Sequence, residues 1–466
     1  MTASSRPPPF VPLGATARIE FWVDRLLAPL RRSAAGVSLV RSDWVAMTAL
    51  WAAAAVWVWQ GTGFFTGEAW FAHRALDLYF DADIPRTLEH MTRRHGLLWG
   101  PPRSHPNFSL LAYPPTAILI AMLGDRQAGI RAFQSAAVPT AGPLLYLIAR
   151  GVGNGPAAAT ATTAAALASA AFTHWAPVPE SFAFALPTIA APFALLSASA
   201  SRHLAAWVGV MALSGSVTVT NWVAGGLSAL CRHALRPSVL VAVLGVLVVV
   251  VLRAAQAAFF DKTALLIDLE AVASRLRFVA VEVPPALQYA GGNVKAFTDF
   301  PWTLSDRLTT LLLYAGVAPP PNTRPVKNRT YLELGYVLSI DEAPLASLGA
   351  VGATAALSWV GLLLLGLRAA SLSPRRDVAA ATIGFLIFHL ALHMVFGELV
   401  FLFVLHGLPS FAALIAFALA GPQRRIALPL ALVFIVTAAP TNAIRFNTAA
   451  EMANGLLHGT LRPTRL

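Results

Sequence analysis

PSVLVAVLGVLVVVVLRAAQAA, residues 237–258, decides what kind of chain this is. From Val239 to Leu252 every position is Val, Leu or Ala except Gly245. A helix needs about 20 mostly apolar residues to cross the hydrocarbon core of a bilayer, and this run supplies them. Outward from it, similar segments lie at 43–60, 132–149, 157–172, 180–199, 204–230, 345–368, 378–395, 398–420 and 426–439. Segment 110–123 is apolar but short, and Ser214-Gly215-Ser216 interrupts 204–230. The pattern predicts an all-α fold, a polytopic transmembrane bundle of about eleven membrane segments.

Composition agrees. The 466 residues are 57% hydrophobic and 12% charged, against about 25% charged in an ordinary soluble domain. Disorder is excluded by the hydrophobicity, and a string of soluble domains by the shortage of polar surface. The net charge of +12 belongs on cytoplasmic loops rather than on nucleic acid, because no arginine-rich run is interleaved with aromatics. The single Cys231 excludes an intrachain disulfide and a cysteine-based zinc site. The polar, proline-rich N-terminus lacks signal-peptide order.

Arginines fix the expected orientation. Arg18, Arg25, Arg31, Arg32 and Arg41 precede the first span, and Arg232, Arg236, Arg368, Arg375, Arg376, Arg424 and Arg425 mark three further inside loops. Residues 1–42 then form a cytoplasmic segment with an amphipathic helix over 18–32, in which Ile19, Trp22, Leu26 and Leu30 oppose Arg18, Asp24 and Arg25. Residues 43–258 form the transmembrane core, including an external loop at 61–109. An external cap at 259–344, transmembrane helices over 345–440 and an external tail at 441–466 follow. The turn at 173–181 lies inside if 110–123 spans fully and 204–230 is one span. It lies outside if 110–123 is half-inserted and 204–230 is split.

Polar residues concentrate in loop 61–109, where Leu76, Phe80, Ile84, Leu88 and Met91 recur at helical spacing and predict two surface helices. Asp83, two residues before Pro85, reads equally as the N-cap of the second helix or as a general base. Glu68 and Asp81 share the loop, and Arg86, Arg103 and His105 offer groups for a phosphate. Elsewhere, Glu180 opens a span and Asn221 sits in the interrupted one, while His389, His393, Glu398 and His406 lie within apolar segments. His389 and His393 have the i, i+4 spacing of zinc ligands, but no His-Glu-x-x-His is present and Glu398 lies across Gly397. A polar cavity lining is therefore preferred, with no metal and no other cofactor indicated. The composition of 259–344 suits a folded cap for a sugar or peptide acceptor.

Phe80-Asp81-Ala82-Asp83-Ile84-Pro85-Arg86, Arg103-Ser104-His105-Pro106-Asn107, Pro179-Glu180-Ser181-Phe182 and Thr218-Val219-Thr220-Asn221-Trp222 together resemble the GT-C superfamily, chiefly over residues 40–235 and more weakly around Glu398–Pro409. These are integral membrane glycosyltransferases that use polyprenyl-phosphate-linked sugars. The resemblance implies an active site on the non-cytoplasmic face of the plasma (inner) membrane. It makes Asp83 the catalytic base, with Asp81 second and Glu68 third, and puts Arg86, Arg103 and His105 near the donor phosphate. It also favours the half-inserted 110–123, which brings Glu180 toward Asp83; Asn221, Glu398 and His406 line the rest of the cavity. Asp-Ala-Asp replaces the adjacent Asp-Glu of several branches. The implied partners are the lipid-linked donor, a glycan, lipid or protein acceptor, and membrane lipids. The alternative is a secondary transporter or lipid-carrier flippase without catalysis, using the Glu398 and histidine group as its coupling site. The acids gathered in one loop and the lack of an internal repeat favour the transferase.

Overall fold

The computed structural model describes residues 15–28, 36–72, 77–201, 203–264, 304–327, 334–340, 343–395 and 399–461. The helices are α1 Ala15–Leu27, α2 Arg41–Thr62, α3 Ile84–Thr92, α4 Phe108–Leu123, α5 Arg126–Ala137 and α6 Ala141–Val152. They continue with α7 Pro156–Ala168, α8 Ala170–Trp175, α9 Ser181–Ala198, α10 Leu204–Val217, α11 Trp222–Arg232 and α12 Leu235–Phe259. The last four are α13 Gly349–Leu372, α14 Arg376–Val395, α15 Val404–Ala420 and α16 Arg424–Leu457. Among the described residues seven helical stretches are long and apolar enough to cross a membrane. Other expected spans are short, as in α4 and α10, or broken, as at Ser169 between α7 and α8.

The helix α12 is apolar on its outside and polar on its inside. Ser238, Val241, Gly245, Val249, Arg253 and Gln256 form its buried stripe, at helical spacing. Val239, Val243, Leu247 and Val251 are more than half exposed. Water would not leave four such side chains bare while arginine and glutamine are buried; a lipid environment explains both. At the centre, α15 is buried along nearly its whole length. A methyl group on Gly366 of α13 would collide with the Leu414 carbonyl of α15, so a glycine is what lets these backbones approach.

Arg150, Arg232 and Arg375 lie at one end of the bundle and have structural work there. Arg232 donates to the carbonyls of Leu196 and Ser199 (2.6 and 2.7 Å), and Arg375 to those of Gly151, Leu196 and Ser197. Two cations thus close the C-terminus of α9, where free carbonyls and the helix dipole favour positive charge. Arg150 pairs with buried Asp43 at 2.8 Å at the same end. The helix α1 docks here too, with Asp24 accepting from the Leu235 N–H at the start of α12, while Ile19 and Trp22 stay exposed.

The opposite end holds loop 63–107. Thr62 donates to the Pro177 carbonyl (2.9 Å), and Gln134 to those of Ala176 and Val178 (both 2.8 Å). The 173–181 turn is therefore at this end, which settles the ambiguity left by hydropathy. Two features cause it. The helices α10 and α11 form a hairpin with its apex at Thr218–Asn221, touching the loop through the Val219 N–H to Ser104 carbonyl bond of 2.9 Å. The α4–α5 hairpin turns at Gly124 (φ 68°), and Arg126 at its tip pairs with Glu68 of the loop.

Three expectations are corrected. Only one α-helix forms among the described residues of loop 61–109, because Asp77, Phe80 and Asp81 adopt positive φ (62°, 49° and 67°) and interrupt the period. The stretch after 440 is no tail: α16 runs to Leu457, with Asn442 turned inward and donating to the carbonyls of Ala168 and Gly316. The stretch 304–318 inserts into the bundle, with Ala170 and Ala171 N–H groups bonding the carbonyls of Gly316 and Ala315 (2.9 and 2.8 Å). Its apolar π-helix, Thr309–Tyr314, is too short to register as a span. An antiparallel hairpin, β1 Asn322–Lys327 with β2 Leu334–Ser339, joins the site end through the Leu338 N–H to Leu78 carbonyl bond of 3.0 Å. Residues 265–303 and 328–333, which include most acids of the expected cap, lie outside the described residues.

Loop 100–107 is clamped by buried side chains of α12. Arg253 is 1% exposed and donates to the carbonyls of Pro101 (2.8 Å), Pro102 (3.5 Å), Pro106 (2.5 Å) and Ala264 (2.8 Å). Gln256 adds a bond to Pro106 (3.0 Å) and accepts from the Leu110 N–H (2.9 Å). Arg253→Leu should cost at least about 3 kcal/mol, because each orphaned buried carbonyl costs about 1–3 kcal/mol. A lower melting temperature in detergent and faster proteolysis between Gly100 and Asn107 would show it; an unchanged melting curve would refute the clamp.

Candidate active site

The site end gathers four of the residues singled out by sequence: Asp83, Arg86, His105 and Glu180. Asp83 occupies the N-cap position of α3 with Pro85 in the first turn, yet its carboxylate makes no capping hydrogen bond. It faces Arg86 instead, 2.5 Å from Nη1. Capping therefore does not account for this acid. The strained turn at Asp77–Asp81 delivers it: a phenylalanine with positive φ costs about 1–3 kcal/mol, and such outliers cluster at functional sites. Phe80 is held there by Tyr79 and Phe401, with ring centroids 4.7 and 5.3 Å away.

Glu180 caps α9. Its Oε1 accepts from the Ser181 backbone N–H and hydroxyl, each at 2.8 Å. Its Oε2 is buried and has no hydrogen-bond partner among the described residues. Burial, with the Asp83 charge second, pushes this carboxyl up to about 7. Burial raises Asp83 as well, against the lowering influence of Arg86. Two carboxyl groups that discourage each other's ionisation share a site in which one proton is readily held.

His105 is buried, with Nδ1 2.9 Å from the Val217 carbonyl and 3.2 Å from Thr218 Oγ1, so the α10–α11 apex orients its ring. Burial lowers its pKa to about 4, with Arg86 contributing, and His90 falls to about 4 from the same cause. Both are neutral at pH 7. Phe182 bridges His105 (5.1 Å) and His406 (5.0 Å). Asn221 is buried at the apex with its amide nitrogen unpartnered among the described residues. Tyr79 Oη and Trp175 Nε1, whose rings lie 5.7 Å apart, are likewise buried and unpartnered there. Several orphaned polar atoms beside two raised carboxyls describe a place prepared for a polar ligand.

Other residues stand apart. Glu68 is three-quarters exposed and paired with Arg126. Asp81 sits in the left-handed turn, half-buried, and Arg103 is exposed beside Arg253. Glu89 is structural: its oxygens accept from the N–H groups of Leu98 (2.7 Å) and Trp99 (3.1 Å) and fold the loop onto α3. Glu398 lies outside the described residues. Sequence reasoning missed Arg253, whose signal was an arginine inside an apolar run, an expensive placement that asks for a reason. It groups His389, His393, Glu398 and His406 and prefers a cavity lining; the structure brings ligand atoms of the three histidines within 4.8 Å of one another. His406 comes from another helix, so spacing could not give that distance. No family model, curated protein or solved structure matches the chain.

Proposed function

We propose that this chain is a membrane glycosyltransferase that moves a sugar from a polyprenyl-phosphate donor to a hydroxyl-bearing acceptor. The observation that carries the reading is half-buried Asp83, whose charge acts on buried Glu180, with Arg86 and buried His105 at the same end of the helical bundle. The acceptor hydroxyl gives its proton to Asp83 as its oxygen bonds the anomeric carbon. The bond from that carbon to the donor phosphate oxygen breaks, and the electron pair leaves with the phosphate. Arg86 supplies a planar fork for the phosphate, and neutral His105, whose Nδ1–H is committed to the Val217 carbonyl, offers Nε2 as an acceptor for a substrate hydroxyl. Glu180, whose carboxyl holds its proton up to about 7, keeps the pair singly charged below that pH so that Asp83 is the member able to accept a proton. The acceptor is a glycan, a lipid or a protein.

Asp83→Asn keeps the shape and removes the base, so turnover should fall by about 10²–10⁴-fold while the protein still folds. If Asp81→Asn fails instead, the base moves by two residues; full activity in both variants would overturn the reading. The pH profile supplies a separate check. Asp83 works ionised, and its pKa is raised, so kcat/KM should fall with acidification through a limb above the ordinary carboxylate range. Glu180→Gln replaces a protonated partner with a neutral amide, so that limb should hold its position. A limb that moves would show that Glu180, not Asp83, carries the pair's charge.

Under the positive-inside rule the short loops that carry Arg232, Arg236, Arg368, Arg375, Arg376, Arg424 and Arg425 are cytoplasmic, which makes the Asp83 end external. Ser104 is exposed there, Thr323 sits on the β-hairpin of the same end, and the only native cysteine is buried. Cysteines at Ser104 and Thr323 should both react with an impermeant thiol reagent in intact cells. Protection of both would invert the orientation.

A further inference from the structure

His389 and His393 lie one turn apart on α14, and His406 lies in the first turn of α15. The three are 2%, 4% and 2% exposed. Their ring centroids are 4.7 Å (His389–His393), 6.0 Å (His389–His406) and 6.4 Å (His393–His406) apart. One ligand atom from each falls within 4.8 Å of the other two. The Nε2 atoms of His389 and His406 are buried and have no hydrogen-bond partner among the described residues. Two imidazole nitrogens left unpartnered inside a bundle of apolar helices, with a third imidazole in reach, are costly unless something accepts their lone pairs.

We propose that His389, His393 and His406 form a three-imidazole site for a divalent transition metal of the zinc class. Imidazole suits these ions, and three neutral histidines leave the fourth tetrahedral position to water or an anion. Zinc–nitrogen bonds of about 2.0–2.1 Å put ligand nitrogens about 3.4 Å apart, so the rings need to close by little more than 1 Å, about the reach of a small χ adjustment. The surroundings support fixed rings. Phe403 stacks on His393 at 4.0 Å with planes 15° apart, Phe385 lies parallel to His389, and Phe182 meets His406 edge-on. Buried Arg307 donates to the His393 carbonyl at 2.9 Å and ties α14 to the inserted 304–318 segment. Because Phe182 also touches His105, the ion would lie one aromatic ring from the candidate active site.

The test reads metal rather than turnover, so it stands whether or not the glycosyl-transfer reading survives. Untagged protein purified without chelator should carry about one zinc per chain by mass spectrometry. Metal-stripped protein titrated with cobalt(II) should develop the visible absorption of a tetrahedral site. His389→Ala and His406→Ala should each weaken cobalt binding at least 10-fold. Should a variant fail to fold, the wild type decides: zinc should raise the melting temperature of the stripped protein. Protein that retains no zinc, gives no cobalt absorption and melts unchanged with added zinc would reduce the cluster to packed histidines, as would variants that bind cobalt as the wild type does.

Discussion

A backbone carbonyl that is not in a helix has no partner in lipid, and the described structure is organised around supplying one. The loop that ends at Pro106 is rich in proline, which lacks an N–H and blocks helical pairing of its neighbours. Its carbonyls are met by Arg253 and Gln256, reaching out of α12. The same solution recurs where α7 breaks into α8: Asn442 serves the carbonyls of Ala168 and Gly316. Gln134 does so for the 176–178 turn. These three elements of irregular backbone surround the candidate site, and a polar side chain from a helix fixes each. The polar groups that look misplaced in a hydropathy reading are what allow the chain to be irregular there.

That irregularity in turn positions the carboxylates. A helix start exposes N–H groups and favours nearby acids, and Asp83 and Glu180 both sit at one. Glu180 uses one oxygen for its cap; Asp83 uses none. The difference leaves Asp83 turned toward Arg86 and available for proton transfer, whereas Glu180 is anchored. The left-handed turn at Asp77–Asp81 and the α10–α11 apex bring loop and bundle together at this point.

Much of the architecture was legible because apolar composition alone specifies a span, as in 237–258. Asp83, Arg86, His105 and Glu180 could be singled out because polar groups concentrate in loop 61–109 and Glu180 opens an apolar segment. Other features depend on tertiary placement. The insertion of 304–318 rests on a short apolar run, Leu311–Ala315, too short to stand out. The extension of α16 past 440 was hidden because Asn442, Arg445 and Asn454 look like a solvated tail until their partners are known. Arg445 donates to the carbonyls of Ala318 and Leu348, and Asn454 accepts from Trp70 Nε1 at 2.9 Å. The α4 and α10–α11 hairpins needed the loop contacts that show which way each turns.

The helix α16 also bears on the order in which the molecule is built. It is synthesised after every other helix described, yet it grips the α7–α8 break, the inserted segment and loop 63–72. Helices enter the bilayer as the ribosome delivers them, so earlier spans must wait with these breaks unbraced until α16 arrives. These irregular stretches are thus braced late in biogenesis, and a chain arrested before Asn442 would be inserted with the carbonyls of Ala168 and Gly316 unserved.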